Sequence, residues 1–207
     1  MFELIKKIFK NNDVRFIISL VGPLVMGTIN LVSIIMHFDW IFFNYSIFAY
    51  LMALIKVWFW AIDKYKIKPT HYSAGVISLL LILAPMMAAL VLTIRYKDEP
   101  HYIFDWFIYA YALYGTIKMV FAVKNMTKKD KTISEYVLTY FSMISALYTI
   151  QMMEFALIKT FDTNPSDNSM YVLELFSQGA IFVFVIVVML IFVFKAVKGK
   201  VKNEKHI

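Results

Sequence analysis

The chain has 207 residues, of which 61% are hydrophobic and only 17% are charged, and it carries a formal net charge of +7. Soluble domains average about half apolar and about a quarter charged residues, so this apolar excess is more than a soluble core of this length buries. The composition therefore excludes a disordered chain, and the absence of cysteine excludes a disulfide scaffold and thiol chemistry. We expect an integral membrane protein.

Six segments have the length and apolar composition of membrane-spanning helices, which need about 20 residues each. They cover residues 16–36, 41–62, 73–94, 103–123, 134–158 and 170–194. Their apolar character is continuous rather than alternating, which favours helices over membrane-spanning strands. The predicted fold class is all-α, a polytopic bundle of six transmembrane helices that forms a single transmembrane domain over residues 1–207. Within it, residues 1–15 form an interfacial N-terminal segment and residues 195–207 a basic C-terminal tail.

The basic residues are distributed unevenly between the two sides that these spans define. One side has Arg95, Lys97 and Lys159. The other side has Lys6, Lys7, Lys10, Arg15, Lys64, Lys66, Lys68, Lys124, Lys128, Lys129, Lys131, Lys195, Lys198, Lys200, Lys202 and Lys205. Because basic loops stay in the cytoplasm, both termini are predicted to be cytoplasmic. The net charge then attracts the anionic headgroups of membrane lipids, and no nucleic acid partner is expected.

Five polar residues lie in the predicted outer half of three spans: Asn30, Gln151, Glu154, Glu174 and Gln178. Polar groups at such depth usually face the bundle interior or water. One interpretation is that the amides among them form hydrogen bonds between helices, each worth about 0.6 kcal/mol. The other is that the five residues converge on an outward-facing ligand pocket, whose two carboxylates would favour a cation or a proton. Both interpretations stay open at this point.

Two lysines, Lys56 and Lys118, lie in the predicted inner half, each about 9 Å from the cytoplasmic end of its span. Lysines at this depth extend to the lipid headgroups in many membrane proteins. Alternatively, the pair forms an inner-leaflet basic site that holds an anionic headgroup, or pairs with Glu135. Lys118 also continues a stripe of helical spacing that includes Tyr111 and Tyr114.

Motifs of enzymes and metal sites are missing from the sequence. It contains no zinc-protease His-Glu-x-x-His, no nucleophile elbow and no phosphate-binding glycine loop. We therefore predict no catalytic residue, no metal site and no cofactor, and an enzyme acting on a lipid or isoprenoid ranks last among the candidate functions.

The fourth and fifth predicted spans resemble an uncharacterised family of small six-span integral membrane proteins of low-GC Gram-positive bacteria. The resemblance rests on Ala112-Leu113-Tyr114, followed at helical spacing by Lys118, Ala122 and Asn125, then a basic loop, then Ser145-Ala146-Leu147-Tyr148-Thr149-Ile150-Gln151. It implies a multi-pass protein of a bacterial plasma membrane in which Lys118, Asn125 and Gln151 belong to a family motif. It implies no activity.

The sequence favours a small transporter or channel-like protein for a cation or a small polar solute, with Pro85 as a hinge. The alternative is a non-transporting membrane module that binds a partner protein or anionic lipid through its inner lysines. The chain is also compatible with a homo-oligomer or a complex with another membrane protein.

Overall fold

The computed structural model describes residues 12–36, 40–67, 70–95, 105–129, 131–161 and 169–204. These residues form six helices: α1 (Asn12–Met36), α2 (Trp40–Tyr65), α3 (His71–Arg95), α4 (Asp105–Thr127), α5 (Ile133–Phe161) and α6 (Ser169–Glu204). The all-α prediction is confirmed, and a helix covers each of the six predicted segments except residues 103–104, which lie outside the described residues. Most of the predicted interfacial segment lies outside the described residues, while α6 continues well into the predicted C-terminal tail.

Four of the helices are long and apolar enough to cross a membrane: Phe16–Ile35, Phe42–Tyr65, His71–Arg95 and Val172–Lys198. They belong to α1, α2, α3 and α6. The other two, α4 and α5, are 23 and 29 residues long and carry more polar sequence.

The outer surface of the described helices is strongly apolar, while several polar side chains are buried. Ile35 is 79% exposed and Phe176 is 75% exposed, whereas Asn30 and Gln151 are each 2% exposed. Large apolar side chains cover the outer surface of the described helices, and a soluble protein rarely exposes contiguous apolar surface on this scale. Lipid is the solvent that this surface fits, and the polar side chains turn inward because hydrocarbon cannot satisfy them.

Local sequence explains where α2 ends and where α5 begins. Lys66, directly after α2, has φ 52°, the left-handed conformation that ends many helices. At the start of α5 the Glu135 amide donates to Thr132 Oγ1 (3.1 Å), and the Thr132 amide donates to Glu135 Oε2 (3.0 Å). This reciprocal pair is a capping box, which satisfies two amides that the first helical turn leaves without partners.

The helices pack in a pattern that divides the bundle into two comparable halves. In one half, α2 packs against α1 and α3, and in the other, α5 packs against α4 and α6. The two halves meet where α3 contacts α6 and where α2 contacts α5. The halves differ in that α3 also packs on α5, with no matching contact between α2 and α6 in the described part of the chain. Likewise no Cα atoms of α1 and α4 approach within 8 Å among the described residues, so side chains alone bridge these two helices.

Candidate functional site

A cavity of about 30 Å³ lies where the two helix pairs α1/α2 and α4/α5 face each other. Three residues from each of the four helices line it: Pro23, Met26, Asn30, Tyr45, Phe48, Ala49, Tyr111, Tyr114, Lys118, Ser145, Tyr148 and Thr149. The lining residues of α1, α4 and α5 fall near the middle of those helices. A volume of this size holds about two water molecules or a ligand group of similar size.

Lys118 supplies the charge of this cavity. Its Nζ donates to Ser145 Oγ at 2.5 Å and to Thr149 Oγ1 at 3.4 Å, both on α5. The same ammonium group lies 4.6 Å from the centre of the Tyr114 ring, a cation–π distance. Lys118 therefore points toward α5 and the cavity, and its ammonium group is held by neutral partners within the described residues.

Two side-chain contacts join α1 to α4 on either side of the cavity. The Tyr111 hydroxyl donates to Asn30 Oδ1, and both residues are almost fully buried. About two helical turns earlier on α1, the Tyr114 ring and hydroxyl lie directly over Gly22, where a side chain would collide with them. The Tyr114 hydroxyl is buried and has no hydrogen-bond partner in the described part of the chain. Tyrosines of α4 thus fill the gap that the backbones of α1 and α4 leave.

The α2–α5 wall of the cavity is aromatic and is fixed by Asn44. The rings of Tyr45 and Phe48 lie 4.6 Å and 4.0 Å from the Tyr148 ring. Asn44 Nδ2 donates to the Pro85 carbonyl at 2.8 Å and to the Tyr148 hydroxyl at 3.1 Å. One buried amide therefore ties α2 to both α3 and α5, next to the proline that the sequence marks as a hinge.

Lys56, the second predicted inner lysine, lies outside this cavity lining. Its Nζ donates to the Ser19 carbonyl of α1 at 2.6 Å. The side chain therefore bridges from α2 to α1, at a position where Ser19 is exposed. Lys56 and Lys118 are close enough for their charges to repel each other. Glu135, the partner proposed from sequence, bonds to Lys128 Nζ at 2.9 Å.

Glu174 and Gln178 form a separate polar cluster between α6 and α3. Gln178 Nε2 donates to Thr93 Oγ1 at 2.7 Å and to Glu174 Oε1 at 3.2 Å. The Thr93 hydroxyl in turn donates to Glu174 Oε1 at 3.1 Å. All three side chains are buried, so this cluster fastens α3 to α6 through hydrogen bonds that lipid cannot replace.

The other two residues of the predicted outer pocket are on α5. Gln151 is buried, and neither its side-chain nitrogen nor its oxygen has a hydrogen-bond partner in the described residues. Glu154 is half-buried. Both Glu154 and Glu174 lie within electrostatic range of Tyr45. Of the five predicted residues, Asn30 lines the cavity and Glu174 bonds to Gln178, while Gln151 and Glu154 have no described contact with either group.

Sequence reasoning missed several residues that shape the site, among them Asn44, Thr93, Ser145 and Thr149. The hydroxyl residues resemble ordinary helix-filling residues of a membrane span, since their side chains bond to the backbone of their own helix in most such positions. Asn44 is a stronger signal, because an amide in the first turns of an apolar span requires a partner.

No family model, no curated protein and no solved structure matches this chain. In the residues that the structure describes, no group of three or more histidine, aspartate or glutamate side chains is arranged to hold a metal ion.

Proposed function

We propose that this chain is a six-span protein of the bacterial cell membrane, with both termini in the cytoplasm, that moves a small polar solute across the bilayer. The cavity shared by α1, α2, α4 and α5 is its solute site. The observation that carries the proposal is a lysine, Lys118, held in a small cavity near the middle of apolar helices, where an ionisable residue is costly and usually functional.

Helix packing supports α4 and α5 as two further spans, in addition to the four most apolar helices. α5 contacts α2, α3 and α6, each of which contains a span, so α5 lies at the same depth. α4 packs along α5 and is 23 residues long, enough for about 30 Å of hydrocarbon. Among the more polar residues of these two helices, Lys118, Ser145 and Thr149 line the cavity.

Of the two solute classes expected from sequence, the polar solute fits this cavity better than the cation. The described lining residues include Lys118 and four tyrosines, and none of them carries a carboxylate. The tyrosines are Tyr45, Tyr111, Tyr114 and Tyr148. A cation placed there would meet Lys118 at close range in a medium of low dielectric constant. Glu174, which would favour a cation, bonds to residues of α3 and α6 instead.

The two halves of the bundle suggest how the solute passes. With six spans, α1 and α4 run in opposite directions, and many transporters bind substrate at the midplane between two inverted repeats. Here two contacts join α1 to α4 beside the cavity, Asn30 with Tyr111 and, about two helical turns away, Gly22 with Tyr114. In the proposed cycle, rocking of α1/α2 against α4/α5 opens one of these contacts while the other holds, because side chains alone join α1 to α4.

The alternative, a non-transporting module that binds anionic lipid or a partner protein, has less support from geometry. Both inner lysines bond to residues of a neighbouring helix, Lys56 to Ser19 and Lys118 to Ser145. Exposed lysines near the helix ends, such as Lys124, attract anionic headgroups, as basic residues on a cytoplasmic surface ordinarily do.

Solute flux through reconstituted protein tests the proposal. Proteoliposomes are placed in isosmotic acetamide, glycerol or potassium acetate, the last with valinomycin so that K⁺ follows the anion, and the swelling rate is compared with that of empty liposomes treated in the same way. We expect swelling above the empty-liposome rate for at least one solute, and a loss of that excess in Ala49→Leu, which fills the cavity.

The matched control is Ala88→Leu, which adds the same side chain on the exposed face of α3 and should leave the rate unchanged. Monodispersity on size exclusion shows that each variant is folded. Equal swelling in folded Ala49→Leu and wild-type protein, or no swelling above empty liposomes for any solute, contradicts the proposal.

A further inference from the structure

Several hydrogen-bond donors around the cavity have no acceptor among the described residues. An ammonium group has three N–H donors, and the described partners of Lys118 are two hydroxyl oxygens and a ring. The buried Tyr114 hydroxyl has no partner in the described residues. The Tyr148 hydroxyl accepts from Asn44, which leaves its own proton free to donate. The Asn30 oxygen accepts from Tyr111, and neither Lys118 nor Tyr114 bonds to it in the described residues.

The charge balance points the same way as the donor count. Within the described residues no carboxylate pairs with Lys118, and Glu135, the partner expected from sequence, pairs with Lys128. Lys56 lies close enough to add to the positive potential. A cation withdrawn from water without a counter-charge is strongly disfavoured, and membrane proteins usually place a partner beside it.

We propose that the cavity binds a small monovalent anion, with Lys118 as its counter-charge and the hydroxyls of Tyr114 and Tyr148 as further donors. The volume of about 30 Å³ admits a halide or the carboxylate group of formate or acetate and excludes a larger organic acid. This proposal deepens the proposed function, since the anion is the transported solute, but the binding step stands without transport.

Binding at equilibrium tests the anion directly. Protein in nanodiscs is kept at constant ionic strength in sodium gluconate, whose anion is too large for the cavity. Gluconate is then replaced stepwise by chloride, formate or acetate, and the melting temperature is recorded. We expect a saturable rise in melting temperature with at least one of the three. Comparing chloride with the two carboxylates distinguishes a halide site from a carboxylate site.

Two comparisons make the test specific. The Lys118→Met variant should need at least about tenfold more anion for half-saturation, because a charge-assisted hydrogen bond is lost. Lys124→Met, which removes an exposed charge from the same helix, should bind as wild type does. Formamide and acetamide have similar size without charge and should give no saturable shift. Absence of saturable binding by all three anions, equal binding in Lys118→Met, or an equal response to formamide overturns the proposal.

The swelling and binding assays separate this proposal from the proposed function. Saturable anion binding without any solute flux contradicts transport and supports the anion site. Flux of acetamide or glycerol without anion binding supports transport and contradicts the anion site.

Discussion

The Tyr111 hydroxyl of α4 donates to the Asn30 side chain of α1. No Cα atoms of these two helices approach within 8 Å in the described residues, so this bond spans a gap between their backbones. Each residue is almost fully buried, so neither group can turn to water if the other is removed. This bond therefore joins the two halves of the bundle beside the cavity. A solute that passes between α1 and α4 would require this bond to break.

Removing this bond should weaken the fold measurably. Tyr111→Phe keeps the ring but leaves the Asn30 oxygen without its donor, and bonds of this type contribute about 0.6 kcal/mol and up to about 1.7 kcal/mol. We expect a lower melting temperature in detergent, measured by fluorescence-detected unfolding. Tyr109→Phe is the control, because Tyr109 on the same helix is 75% exposed. Equal melting temperatures of Tyr111→Phe and Tyr109→Phe would show that the bond contributes nothing.

The Thr93 hydroxyl joins α3 to α6 by donating to Glu174 and accepting from Gln178. Thr93→Val preserves the shape and removes both bonds, so we expect destabilisation by about 1 kcal/mol in chemical or thermal unfolding. Thr139→Val is a matched control, since Thr139 is also buried but its hydroxyl bonds to the Glu135 carbonyl of its own helix. The prediction fails if the two variants lose the same stability.

The close approach of α3 to α5 and α6 depends on a glycine. A Cβ atom at Gly75 would lie 2.8 Å from a Phe192 ring carbon and 3.2 Å from a Val137 methyl carbon, and both neighbours are fully buried. Gly75→Ala should therefore destabilise the protein, since overpacking a core costs about 1–3 kcal/mol. At Gly179 a Cβ atom meets nothing within 4 Å.

Gly179→Ala is accordingly the control for this position, and it should leave the melting temperature unchanged or raise it, because alanine favours a helix by up to about 1 kcal/mol over glycine. A Gly75→Ala protein that melts at or above the temperature of Gly179→Ala would mean that α3 shifts to accommodate the methyl group at no cost.

Hydropathy alone predicted the six helices to within a few residues at most ends, because a continuous stretch of about 20 apolar residues favours a helix whatever its neighbours are. The predicted segment 41–62 corresponds to Trp40–Tyr65, and 73–94 corresponds to His71–Arg95. The end of α6 was harder to predict. It extends to Glu204 because nothing in the basic segment after the span, such as a proline, stops the helix.

The candidate site was less accessible from sequence, because depth in the membrane does not determine which neighbour a side chain faces. Asn30, Gln178 and Gln151 were grouped by depth, yet Asn30 faces α4 and Gln178 faces α3. Residues on one helix were easier to group. Helical spacing placed Tyr111, Tyr114 and Lys118 on one stripe, and all three line the cavity. Their partners on α1 and α5 depend on tertiary packing.

Gly22 offers a way to alter the cavity without touching its charge. A Cβ atom there would lie 2.8 Å from the Tyr114 hydroxyl oxygen and 3.0 Å from a Tyr114 ring carbon. Because Tyr114 lines the cavity, Gly22→Ala should displace its ring into that space and reduce both anion binding and solute swelling. The helix itself should tolerate the change, since alanine is the better helix former.

Two further variants show whether the effect arises from this contact. Gly115→Ala places a methyl group at ordinary contact distances, 3.5 Å from Ile150 and Thr149, so binding and swelling should match those of wild type. Combining Gly22→Ala with Tyr114→Phe removes the nearest colliding atom, the hydroxyl oxygen, and should restore part of the swelling rate. If Gly22→Ala is folded and swells as wild type does, Tyr114 does not close the cavity at this end, and the solute route does not pass between α1 and α4.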